Sequence, residues 1–148
     1  MIKRLLITTV LCLFGTAAMA KTCALEIQGT DQMKYDKTEL KVAGDCTEVK
    51  VTLHHAGKMS KASMGLGWVL VKTADYAAAR ADTTTAGVQN GYVPKDDPKI
   101  IAAIPIIGGG ETSSVTFPTT KLEKGGDYTY FCPFPGHFVF MHGKFIFG

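Results

Sequence analysis

Long apolar runs are almost missing from this chain of 148 residues. The longest candidate, residues 5–14, is too short to span a bilayer, which takes about twenty apolar residues. Basic blocks are missing too. The 16 Lys and Arg against 13 Asp and Glu are scattered, which leaves no electrostatic footprint for nucleic acid or for an anionic membrane. There is no internal repeat and no low-complexity linker, and the length suits a single domain that buries roughly two-thirds of its unfolded surface. Cysteines are few, only four, so each one asks for a reason.

The first twenty residues have the layout of a secretory signal peptide. Lys3 and Arg4 give a positive start, residues 5–14 an apolar stretch, and Ala18, Met19 and Ala20 an A-x-A-like cleavage site. Leu11 stands where a lipidated Cys12 would need a small residue, so a lipoprotein anchor is not expected. Cleavage after Ala20 sends the mature chain, residues 21–148, to the periplasm with no membrane insertion. Losing Lys3 and Arg4 lowers the formal net charge from +3 to +1.

Export permits a disulfide. Cys23 and Cys46 flank two strand-like segments near the mature N-terminus and form the natural pair. Their bridge is worth about 3 kcal/mol in the chain-entropy estimate. Cys132 is then left over, and an unpaired cysteine in an exported protein calls for intermolecular pairing, a reactive thiol or a metal.

Most of the mature chain reads as short strands. In residues 47–55, Val49, Val51, Leu53 and His55 alternate with Glu48, Lys50, Thr52 and His54. Further strands are expected at residues 68–72, 99–107, 113–117, 127–132 and 144–147, separated by turns such as Gly108-Gly109-Gly110 and Gly125-Gly126. The pattern predicts an all-β antiparallel sandwich or barrel. The Ala-rich residues 73–81 form the exception, a short helix opened by Thr73 and Asp75 and read as a surface insertion without chemistry. Residues 83–98 read as the most loop-like stretch.

The densest chemistry follows residue 131. Cys132, His137 and Met141 fall as Cys-x4-His-x3-Met on a loop made tight by Pro133, Pro135 and Gly136. Taken singly, such a Met is more often core packing and such a His merely hydrogen-bonded. Together with an unexplained thiol they read as a site for a transition metal. Soft sulfur donors with one imidazole favour copper, particularly Cu(I). Cys132 and His137 could imitate a nucleophile and its base, but no third orienting group stands near them, and an enzyme is not expected.

These residues, with Cys23 to Met33, Cys46, Met64-Gly65, Trp68-Val69-Leu70, Gly108 to Glu111 and Ser114 to Phe117, resemble the azurin family of blue-copper cupredoxins over the whole mature chain. The resemblance implies a Greek-key cupredoxin β-sandwich of about eight strands with one short inserted helix. It implies Cys132 as thiolate ligand, His137 as imidazole ligand, Met141 as weak axial thioether and the Gly65 carbonyl opposite, with copper as the cofactor. It also implies an apolar patch of Phe134, Phe138 and Met64, extended by Phe140, that docks a redox partner of the small c-type cytochrome or reductase class.

One part of the pattern is absent. Azurins carry a histidine ligand and then an asparagine directly after that glycine, where this chain has Leu66 and Gly67. A ligand and an outer amide that helps hold the loop are therefore missing. His142, next to Met141, should face the other way along an extended chain, His55 matches a buried histidine beside the metal, and His54 faces outward. Three functions remain in play: a one-electron copper shuttle with an altered site, a Cu(I)-binding or delivery protein, and a metal-free interaction domain built around a free thiol.

Overall fold

A computed structural model describes residues 19–148. The expected leader, apart from Met19 and Ala20, lies outside the described residues, and Cys12 with it. Among the described residues, nine strands form two sheets. The first is ordered β2-β1-β4-β7 from β1 (Thr22–Thr30), β2 (Lys34–Tyr35), β4 (Glu48–His55) and β7 (Thr112–Pro118). The second is ordered β3-β9-β8-β5-β6 from β3 (Glu39–Val42), β5 (Leu66–Lys72), β6 (Ile100–Ile107), β8 (Tyr128–Phe131) and β9 (His142–Phe147). The ninth strand beyond the expected eight is the two-residue β2, too short to carry an alternation. β1 pairs with β4, and β3 with β9, in parallel; the other ladders are antiparallel.

Alternation decides the facing of β4. Val49, Val51 and Leu53 are fully buried between the sheets, while Lys50 and His54 are exposed. β5 differs, because six of its seven residues are buried. It lies between β8 and β6 with both faces covered. Leu66, Trp68 and Leu70 join the main core, and Val69 and Val71 join a second, smaller cluster. That cluster is roofed by helix α2 (Tyr76–Ala86), through Ala79 and Tyr76. A strand buried on both faces reads as a continuous apolar run, as this one does.

The expected helix is real but displaced. A 3-10 turn occupies Thr73–Asp75, and α2 runs five residues past residue 81 into the stretch expected to be loop. The reason is local. The Thr83 and Thr84 hydroxyls donate to the Arg80 carbonyl at 2.9 and 3.0 Å, and Thr85 to that of Ala81 at 3.0 Å, so threonines that look like loop residues back-bond within the helix. Gly87, at φ +72°, ends it. A four-residue helix α1 (Lys61–Met64), not expected from the sequence, leads into Gly65. Among the described residues, no helix is long and apolar enough to cross a membrane. Cys23 and Cys46 are disulfide-bonded, Cα to Cα 5.9 Å, tying β1 to the turn before β4, and Cys132 is free and buried.

Candidate metal centre

Phe131 at the end of β8 pairs with His142 at the start of β9, so residues 132–141 form a loop whose two ends are held by the second sheet. The Cys132 N–H donates to the Met141 carbonyl at 2.9 Å and closes it. Gly136, at φ +82°, makes the bend that admits glycine most readily. A 3-10 turn at His137–Val139 follows, with the Phe140 and Met141 N–H groups both donating to the His137 carbonyl at 3.0 and 2.7 Å. The turn brings His137 back over Cys132.

The result is a small buried cluster. Cys132 and Met141 are fully buried, and His137 is 4% exposed. The Cys132 Sγ lies 3.7 Å from His137 Nδ1 and 4.0 Å from the Gly65 carbonyl oxygen. The Gly67 N–H donates to the same sulfur at 3.5 Å. A side chain could not stand at Gly67, because its Cβ would meet the Ile104 carbonyl at 2.8 Å and the Pro133 ring at 2.9 Å. Burial pushes the Cys132 thiol up to about 11, against the opposing pull of the Gly67 and Phe134 N–H groups and the Tyr35 hydroxyl. Burial, helped by His55, lowers the pKa of His137 and keeps its imidazole available as a neutral donor.

Leu66 is fully buried. Its Cδ1 and the Met141 Cε both lie against Gly29, where an added Cβ would meet them at 2.6 and 3.4 Å. The leucine is therefore a core residue pressed beside Met141. His55 is anchored away from the sulfur: its Nδ1 accepts from the Gly57 N–H at 3.1 Å, and its Nε2 lies 2.8 Å from the Met64 carbonyl. His142 is exposed and rests near Tyr76, ring centroids 6.1 Å apart, whereas its neighbour Met141 is buried. His54 is exposed and hydrogen-bonded to Thr112.

The donor set can be judged against copper on its own chemistry. Among the described residues no three of His, Cys, Asp and Glu come together as a metal-binding group. Two come together, Cys132 and His137, with the Gly65 carbonyl oxygen near the sulfur and Met141 buried at the end of the same loop. That is too sulfur-rich for a hard cation. It fits a copper ion held by few, soft donors, with one imidazole fewer than a full blue-copper plane.

The aromatic rim is arranged differently from a simple exposed patch. Phe134 is half-buried, tilted against the His137 ring with centroids 4.4 Å apart, and in contact with Gly65 and Tyr92. Phe138 and Met64 are also half-buried. Phe140, 68% exposed, and Val139, 55% exposed, are the apolar side chains that the loop turns outward.

Sequence reasoning missed Tyr35 altogether. It is buried on the short β2, and its hydroxyl donates to the Gly67 carbonyl. No periodicity marks a two-residue strand, so nothing in the sequence singled it out. Desolvation, with Cys132 and Tyr130 nearby, raises its pKa well above the usual phenol value, so it stays a protonated donor.

Comparison with known proteins places these observations. The family model for copper-binding proteins of the plastocyanin/azurin family matches residues 21–148. Azurin-1 of Alcaligenes xylosoxydans xylosoxydans is 50% identical over 121 residues, covering 82% of this chain and 94% of that protein. The azurin of Bordetella pertussis is 44% identical over 130 residues, 88% of this chain and 87% of the relative. That of Pseudomonas aeruginosa is 37% identical over 143 residues, 97% of each. The solved azurin iso-2 of Methylomonas sp. strain J superposes with a TM-score of 0.82 at 40% identity, covering 85% of this chain and 98% of that one.

Proposed function

The chain belongs to the plastocyanin/azurin family of copper-binding proteins, and from that membership we propose that it is an exported blue-copper electron carrier with an altered copper site. Copper bound there supplies a one-electron Cu(I)/Cu(II) couple. Cys132, His137 and Met141 would hold it, with the Gly65 carbonyl as a weak further contact. The observation that carries this is the 3.7 Å approach of Cys132 Sγ to His137 Nδ1 in a buried cluster, a spacing at which one metal ion can bond both.

The chain's own contribution is a fixed cage. Cys132 gives up its proton on binding the metal, since the ligand is the thiolate. His137 is clamped under Phe134, and Leu66 excludes water from the side where azurins place their other imidazole. The second sheet holds the loop at both ends, so little needs to move when the electron does. Phe140 and Val139, with the half-buried Phe134, Phe138 and Met64, offer apolar surface to a redox partner of the small c-type cytochrome or reductase class. The leader-like residues 1–20 and the Cys23–Cys46 disulfide support delivery of residues 21–148 to the periplasm.

A second reading, storage or delivery of Cu(I), is favoured by Leu66 alone, because removing an imidazole while keeping both sulfurs favours the softer ion. Titration of the reduced mature protein with Cu(II) separates the two. A strong visible thiolate-to-copper band that bleaches and returns with a redox mediator is expected for the carrier. Cu(I) binding without that band would establish the second reading, and binding of neither ion would leave only a metal-free interaction domain.

A further inference from the structure

Helix α2 touches the candidate ligand loop at Phe138. Tyr76 and Arg80 stand one turn apart on the same helix face. The Tyr76 hydroxyl donates to the Phe138 carbonyl at 3.0 Å. The Arg80 guanidinium lies between two rings, 4.9 Å from the centroid of Tyr76 and 4.8 Å from that of Phe138. Among the described residues Arg80 forms no ion pair within 4.0 Å, and its Nε is buried without a hydrogen-bond partner. The two rings, with a polar contact to the Tyr76 hydroxyl, hold that side chain in place. Beneath it, Tyr76 packs edge-on against Phe131 at 5.3 Å, and Phe138 packs on the small cluster of Val69, Val71, Ala79 and Phe131.

Phe138 directly follows His137 and sits in the same 3-10 turn. We propose that α2 is a positioning element for this turn, with Tyr76 and Arg80 stapling Phe138 so that His137 stays over Cys132. The helix is therefore more than an insertion on the surface. Phe134 braces the His137 ring directly, and the staple braces the residue after it. In a cluster with a single imidazole, any swing of that turn withdraws the only nitrogen donor, so the brace matters more here than it would in a site with two.

The test needs no metal. Amide hydrogen exchange at Phe140 and Met141, whose N–H groups both bond to the His137 carbonyl, reports opening of the turn. In metal-free mature protein, Tyr76→Phe and Arg80→Met should each speed exchange of those two amides at least tenfold, with the β4 amides unchanged. Arg80→Lys, which keeps the charge but not the plane, should fall between. Faster exchange confined to α2, with the turn amides at wild-type rates in both variants, would reduce the contact to a helix stabiliser and overturn the proposal. A second arm rests on the copper reading: loaded variants should release Cu(I) to a chelator at least tenfold faster than wild type. Failure of wild type to take up copper would remove that reading, while the exchange arm would still decide the staple.

Discussion

Replacing Leu66 by histidine tests the altered site most directly. Leu66 is fully buried at the start of β5, packed beside Gly29 and Met141. Without metal, Leu66→His loses about 1.5–3 kcal/mol of apolar burial. It also places an imidazole in a pocket where nothing now waits to pair with it, at about 1–3 kcal/mol. The metal-free variant should thus be less stable by roughly 3–5 kcal/mol, a large part of the usual 5–15 kcal/mol of a domain. For a domain of this size, with each kcal/mol worth about 3–5 °C, that is a fall in Tm of about 10–20 °C. Copper reverses the sign. A ligand that binds only the folded state stabilises it by RT ln(1 + [L]/Kd), about 4 kcal/mol at a thousandfold excess over Kd, and the added nitrogen should lower Kd for Cu(II). Thermal unfolding with and without Cu(II), read beside the visible spectrum, should show a larger copper-induced rise in Tm and a stronger band in Leu66→His than in wild type. A metal-free variant as stable as wild type would refute the burial argument, and an equal copper-induced rise in both would mean that position 66 does not face the metal.

Other expectations follow from single contacts. Tyr35→Phe leaves the buried Gly67 carbonyl without its donor and should cost about 1–3 kcal/mol in urea unfolding, and it should shift the copper band because Gly67 also donates to the Cys132 sulfur. Cys132→Ser should abolish any visible copper band outright while leaving the far-ultraviolet circular dichroism of the sheets intact. Replacing Cys23 and Cys46 by alanine should cost about 2–5 kcal/mol, seen as a lower urea midpoint, with the copper band retained because the bridge lies outside the candidate centre.

Several features needed only the order of residues. The β4 alternation, the turn-rich punctuation and the excess of short apolar segments led to a β-sandwich, because a period of two is imposed by the pleat itself. The odd cysteine, with a histidine and a methionine at loop spacing, marked the candidate centre, because all three side-chain donors come from one short segment that must fold back on itself. The Cys23–Cys46 pairing was also legible, since few alternatives remained. Folding decided the rest. The neighbours of each strand, including the parallel pairings of β1 with β4 and β3 with β9, depend on contacts remote in sequence. The run of α2 past residue 81 rests on threonine hydroxyls turning back to helix carbonyls, a choice that local composition leaves open. Tyr35 reaches Gly67 across 32 positions, and Tyr76 reaches Phe138 across 62. The donors near the sulfur were written in one stretch of chain, whereas the groups that hold them still come from segments joined only by the packed sandwich.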